Sequence, residues 1–194
     1  TPIRLVLAGV VLSSAFSAVA SFLVFKGPDP RAAQSVLYWL LGSVSGAQWD
    51  RLPLATGIVV ICLVLLLLGS GWLDALAWGP DAAAALGIPV GVLRQGLFLL
   101  LAVLVGVLVA VSGGIGFVGL VIPHLCRMVV GSLHRRLLPV AAAVGGLFLL
   151  WVDVISRVIV APAEMPLGVV TGLIGAPVFL IVMGRRNYGF GGGS

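Results

Sequence analysis

Residues 110–139 read AVSGGIGFVGLVIPHLCRMVVGSLHRRLLP, and the fold turns on how this stretch is read. A long apolar run enters it from one side and another leaves on the other. Between them lie Gly113, Gly114 and Gly116, followed by residues 117–130. That segment is shorter than the roughly 20 apolar residues a straight helix needs to cross a bilayer. Pro123 is expected to break it, and it also carries His124 and Arg127. A short, interrupted helix is tolerated at membrane depth only inside a protein bundle or beside an aqueous cavity. Two readings are open on pattern alone: a re-entrant or part-buried helix of any polytopic protein, or the helix-break and gate support of a translocation pathway.

Composition puts the chain in the membrane. Of its 194 residues, 61% are hydrophobic and 9% charged, which is not a soluble balance. No dense basic field with interleaved aromatics points to nucleic acid. Cys62 and Cys126 stand in apolar surroundings and supply no disulfide framework. Thr1-Pro2 opens without a basic region or cleavage pattern and without Met, so the reading expects part of a longer subunit with no signal peptide. Residues 189–194 are glycine-rich and expected to form a flexible tail after a membrane domain covering 1–188.

Six passes are expected. The first covers 3–25, with small residues suited to close helix contacts, and Gly27-Pro28-Asp29-Pro30 stops it. Residues 31–41 form a short helix with Tyr38 and Trp39 at the lipid–water boundary. The LGSVSG run at 41–46 lacks the lysine of a phosphate-binding GxxxxGK[ST] loop, so a nucleotide site is rejected there. The second pass is Leu52–Leu68. Residues 73–92 should give two short helices joined at Gly79-Pro80 and lying outside the hydrocarbon. The third pass covers 93–111, and the interrupted 117–130 is the fourth. A basic loop at 132–136 precedes the fifth, 139–160, and the last is 167–183, where Pro177 is placed to kink the helix.

Charge orients the passes. One side receives Arg4, Arg94, Arg127, Arg135, Arg136, Arg185 and Arg186 with Asp74 and Asp81. The other receives Lys26, Arg31, Arg51 and Arg157 with Asp29, Asp50, Asp153 and Glu164. The positive-inside rule places the first side, and with it both visible ends, in the cytoplasm.

Few residues carry chemistry. Asp153 and Arg157 are four apart on one helix face and form a candidate structural pair. His124, Cys126, Arg127 and His134 do not make a metal site, because His124 and Cys126 do not share a helix face. Solvent exposure in the basic loop accounts for His134. No serine–histidine–acid set can be assembled, and no feature identifies an enzyme.

The run GGIGFVGLVIPHLCRMVVGSLHRRLLP resembles the permease subunits of ATP-driven importers for iron–siderophore complexes, haem and cobalamin, the FecCD type. RLVLAGVVLSSAFSA is similar to that family's fifth membrane helix, and YWLLGSVSGAQWDRL to its outer helix and the start of the sixth. AAAALGIPVGVLRQ is similar to its cytosolic coupling region, and DVISRVIVAPAEMPLGVVTGLIGAPVF to its last two helices. The resemblance implies an all-α polytopic transmembrane helical bundle with short interrupted helices. It would be part of the cobalamin-importer type of permease fold, covering helices five to ten of ten.

It further implies a bacterial inner or plasma membrane location, a second permease copy or related permease, two cytoplasmic ATPase subunits, and a periplasmic or lipid-anchored binding protein. The subunit would bind no cofactor, and ATP would be used by its partners. Asp81, Ala84, Leu86, Gly87 and Arg94 fall on the ATPase-coupling region. Arg157 falls on an outward arginine that docks the binding protein, with Glu164 nearby. Iron–siderophore is the first substrate expectation, with haem or cobalamin as the alternative. An unrelated secondary transporter or channel would explain the hydrophobicity but not the coupling-like passage.

Overall fold

The computed structural model describes residues 2–27, 30–159 and 164–184. The expected glycine-rich tail lies outside them. Nine α-helices occur among the described residues, and the chain divides at Leu40/Leu41 into two compact units.

The first unit holds α1 (Pro2–Lys26) and α2 (Pro30–Leu40). The described positions of α1 are almost all exposed, as expected of a helix whose surroundings are lipid or other helices. α2 is amphipathic, with Ala33, Val36 and Leu40 half-buried and Arg31, Gln34 and Ser35 outward.

The second unit holds α3 (Leu52–Leu68), α4 (Ser70–Ala77), α5 (Pro80–Ala85), α6 (Val90–Ser112), α7 (Val118–Val130), α8 (His134–Val158) and α9 (Leu167–Gly184). Residues Leu7–Lys26 of α1, all of α6 and all of α8 are long and apolar enough to cross a membrane. α3 and α4 meet at a 63° bend, while α7 and α9 are shorter apolar helices. α8 is the hub: α3, α4, α7 and α9 all pack on it. Ile122, Cys126 and Leu137 form one core between α7 and α8, and Val152, Leu167 and Val170 another between α8 and α9.

Some features differ from expectation, beyond shifts of a few residues at helix ends such as α6 beginning at Val90. α4 begins at Ser70, because the turn at Gly69 restarts the helix directly: the Trp72 and Leu73 amides both donate to the Gly69 carbonyl. Residues 134–136 belong to α8 and not to a loop, because an acceptor from α4 completes the helix start (below). Pro123 does not break α7, which runs unbroken through it. Proline removes one bond to the Gly119 carbonyl and its ring crowds that carbonyl, while packing of Val121, Ile122 and Cys126 in the core holds the helix. The interruption lies earlier, between Ser112 and Val118. α9 likewise continues through Pro177.

That interruption is built on close backbone approach. Ser43 N–H donates to the Ser112 carbonyl at 2.8 Å, and Gly168 N–H faces the Gly42 carbonyl at 3.5 Å. Gly42 has φ +79°, and a Cβ there would lie 2.7 Å from the Gly114 carbonyl oxygen. A Cβ on Gly168 would collide with the Leu41 carbonyl. The start of the 41–51 loop, the end of α6 and the start of α9 therefore cross where only glycine fits.

Candidate functional site: two ends of one bundle

The residues expected to matter fall into three places. At the first, Gly79 and Pro80 open the six-residue α5, and Pro80 suits a first helical turn because its missing N–H has no intrahelical role there. Asp81 sits in that turn, where a carboxylate complements the helix dipole. Ala83 is fully buried and anchors the helix, which leaves Ala84 exposed and Leu86 72% exposed. Gly87 N–H donates to the Ala84 carbonyl and Ile88 N–H to the Ala83 carbonyl, closing the helix. Gly87 holds φ +77°, a backbone state that L side chains rarely adopt. Asp81, Ala84, Leu86 and Gly87 thus share one compact projection. Arg94 does not join it. It lies in α6, exposed, beside Leu76, Leu97, Phe98 and Leu101, and it forms no ion pair among the described residues.

The second place is the far end of α8. Arg157 Nε donates to Asp153 Oδ2 at 2.9 Å, and its Nη1 approaches Glu164 Oε1 at 3.4 Å. Ser156, next to Arg157, is 2% exposed and bonds the Asp153 carbonyl, while its own carbonyl accepts from Met165 N–H. The buried serine fixes the helix end, so Asp153, Arg157 and Glu164 are presented together. Arg157 itself is 44% exposed, and these bonds use two of the five N–H donors of its guanidinium.

The third place is the α6–α7 interruption. Gly113 is buried at φ +69°, and Gly114 presents its carbonyl to Gly42 and Gly168. The Gly116 carbonyl accepts from Val118 N–H. Phe117 starts α7 with φ +66°, the one non-glycine residue in that region among the described residues.

One relationship was not foreseen. His134 is half-buried and paired rather than solvated. Asp74 Oδ1 accepts its backbone N–H at 2.9 Å and lies 2.6 Å from its Nδ1. The backbone bond is the main reason the Asp74 carboxyl is held below its usual value, followed by the ring; burial opposes the shift in part. The sequence hint was an aspartate in the apolar run Trp72-Leu73-Asp74-Ala75-Leu76, which needs some partner. Nothing in a single sequence points to a residue sixty positions away. His124 and Cys126 stay apart from this pair, and no His/Cys/Asp/Glu group able to hold a metal occurs among the described residues.

Comparison with known proteins agrees with this architecture. The chain is 43% identical over 184 residues to a hemin transport system permease of Yersinia pestis, covering 95% of this chain and 55% of that protein. It is 42% identical over 187 residues to a vitamin B12 import system permease of Vibrio cholerae, covering 96% and 56%. A solved structure described as an inward-facing metal-chelate type ABC transporter superposes with a TM-score of 0.86 at 38% identity, over 94% of this chain and 59% of that one. The chain therefore spans about half the length of the curated relatives it matches. The FecCD transport family matches residues 1–185, and the chain belongs to that family.

Proposed function

We propose that the chain is the portion of an ATP-driven importer permease that corresponds to helices five to ten, and that the whole subunit carries a metal chelate inward. The observation that carries this reading is the family match over residues 1–185 together with the exposed α5–Gly87 projection. In the assembly, a second permease completes the pathway, one of two ATPase subunits docks at the 81–87 projection of each permease on the cytoplasmic side, and a binding protein docks at the Arg157 end. The six-pass charge bias supports a multi-pass position in the bacterial inner or plasma membrane with both visible ends cytoplasmic. The interrupted α6–α7 region and its glycine crossing support the gate.

The substrate preference moves away from iron–siderophore. Relatives named for hemin and vitamin B12 match over nearly all of this chain at 43% and 42% identity. We therefore place a haem or cobalamin macrocycle first and iron–siderophore second. The test is uptake by the intact permease with its native ATPase and binding protein, using labelled haem, cobalamin and iron–siderophore in parallel. ATP-dependent uptake of haem or cobalamin is expected. Exclusive uptake of iron–siderophore would reverse the substrate order, and ion-driven uptake without ATP would remove the importer reading.

A further inference from the structure

α8 starts badly by its own sequence. Its N-cap residue is Leu133, which has no side-chain oxygen to accept the free amides of the first turn. Its first three residues are His134, Arg135 and Arg136, and cationic side chains are unfavourable at the positive end of a helix. The missing acceptor and the missing negative charge both come from Asp74 of α4. One carboxylate oxygen takes the His134 N–H at 2.9 Å and stands 2.6 Å from Nδ1. A carboxylate only accepts, so Nδ1 carries the proton in this pair. Arg135 and Arg136 are exposed and form no ion pair among the described residues, so Asp74 is the anion that this helix start has.

Position gives the pair its consequence. α4 packs on α5 and on α8. At the other end of α8, about 35 Å away at 1.5 Å per residue, stand Asp153 and Arg157. The one helix therefore joins the α4–α5 element to the acidic–basic cluster at the opposite face.

We propose that Asp74 and His134 are positioning residues that pin the α4–α5 element to α8, so that an event at the Arg157 end reaches the element through one continuous helix. This rests on the readings of α5 as the ATPase dock and of the Arg157 end as the binding-protein dock. Asp74 touches neither substrate nor nucleotide; it acts by fixing where α5 stands relative to α8. Without the pin, the His134 N–H loses its acceptor and α4 loses its ion pair with the start of α8.

The experiment uses the intact permease with its ATPase subunits and binding protein in nanodiscs. It reads the ratio of ATP hydrolysis with binding protein to hydrolysis without it, at matched abundance and with binding-protein affinity measured alongside. Asp74→Ala should lower that ratio roughly tenfold, the scale of a lost charge-assisted hydrogen bond. Asp74→Asn should fall between wild type and Asp74→Ala, because the amide oxygen still accepts the His134 N–H while the negative charge at the helix start is lost. His134→Ala leaves the backbone bond and should cost about threefold, and in the Asp74→Ala background it should add nothing. An unchanged ratio in Asp74→Ala overturns the pin. If that variant does not accumulate, His134→Ala decides, and an unchanged ratio there overturns it equally. Gly87→Val is measured in parallel. A drop there with wild-type ratios in the Asp74 and His134 variants removes the pin and leaves the dock standing; wild-type ratios in all of them remove both.

Discussion

The Phe117 side chain sits directly against Gly175: a Cβ added to that glycine would lie 2.5 Å from the Phe117 Cβ and 3.0 Å from its Cγ. The ring also reaches Gly172. Phe117 is held at φ +66°, a region that is costly for a bulky residue, and the flat glycine face of α9 is what receives it. The strained start of α7 and the bare face of α9 are two halves of one contact.

Gly175→Ala in the intact permease should therefore destabilise it by about 1–3 kcal/mol, since the added methyl meets the root of a side chain and not its flexible tip. Gly146→Ala is the control. Nothing lies within 4 Å of the point its methyl would occupy, and alanine is the better helix former, so stability should hold or rise. Melting in detergent, with membrane abundance alongside, checks both. Equal behaviour of the two variants would show that the contact does not contribute.

The folded-state carboxyl of Asp74 titrates below its usual value. Its stabilisation is therefore fully present above the ordinary aspartate pKa of about 3.9 and is lost as pH falls through the lowered folded value. Acid melting curves of the intact permease should lose part of their steepness below about pH 4 in Asp74→Asn. Identical acid melting profiles below about pH 4 in wild type and Asp74→Asn would contradict the assignment.

Much of the fold was legible because lipid imposes long apolar runs that turn residues interrupt. Gly27, Gly79-Pro80 and Gly87 each mark a helix boundary in the sequence and in the structure. The features that escaped the sequence depend on contacts across the chain. The start of α8 at His134 needs Asp74 from another helix, so the string SLHRRLLP reads as a basic loop when taken alone. Pro123 reads as a breaker, yet the core around Ile122 and Cys126 keeps α7 continuous. Asp153 and Arg157 were visible as a pair because helical spacing is local; Glu164 joins them from beyond the end of α8, where spacing fixes nothing.

Arg157 has donors left beyond those used by Asp153 and Glu164, and an arginine fork suits a partner carboxylate. Arg157→Glu in the intact permease should weaken binding-protein affinity by about tenfold or more, as for a lost interfacial charge pair. An acid-to-base change on the docking face of the binding protein should recover part of it. A double-mutant cycle at matched abundance measures this. Zero coupling to every acidic residue on that face, with rescue only by changes near Asp153, would make the cluster purely internal.

Orientation is testable by membrane-impermeant labelling of single cysteines in sealed cells, with buried Cys62 and Cys126 replaced. Positions 43 and 48 should label from outside, and positions 81 and 132 only after permeabilisation. External labelling at 81 or 132 without leakage would invert the topology.

The α5–Gly87 projection should meet an ATPase, and Leu86, 72% exposed at its tip, is the place to ask. A photo-crosslinking residue at position 86 of the intact permease, illuminated in membranes with all native partners present, should capture the ATPase subunit, with a yield that changes when ATP is added. A crosslink to lipid or to the binding protein, with none to the ATPase, would contradict the account.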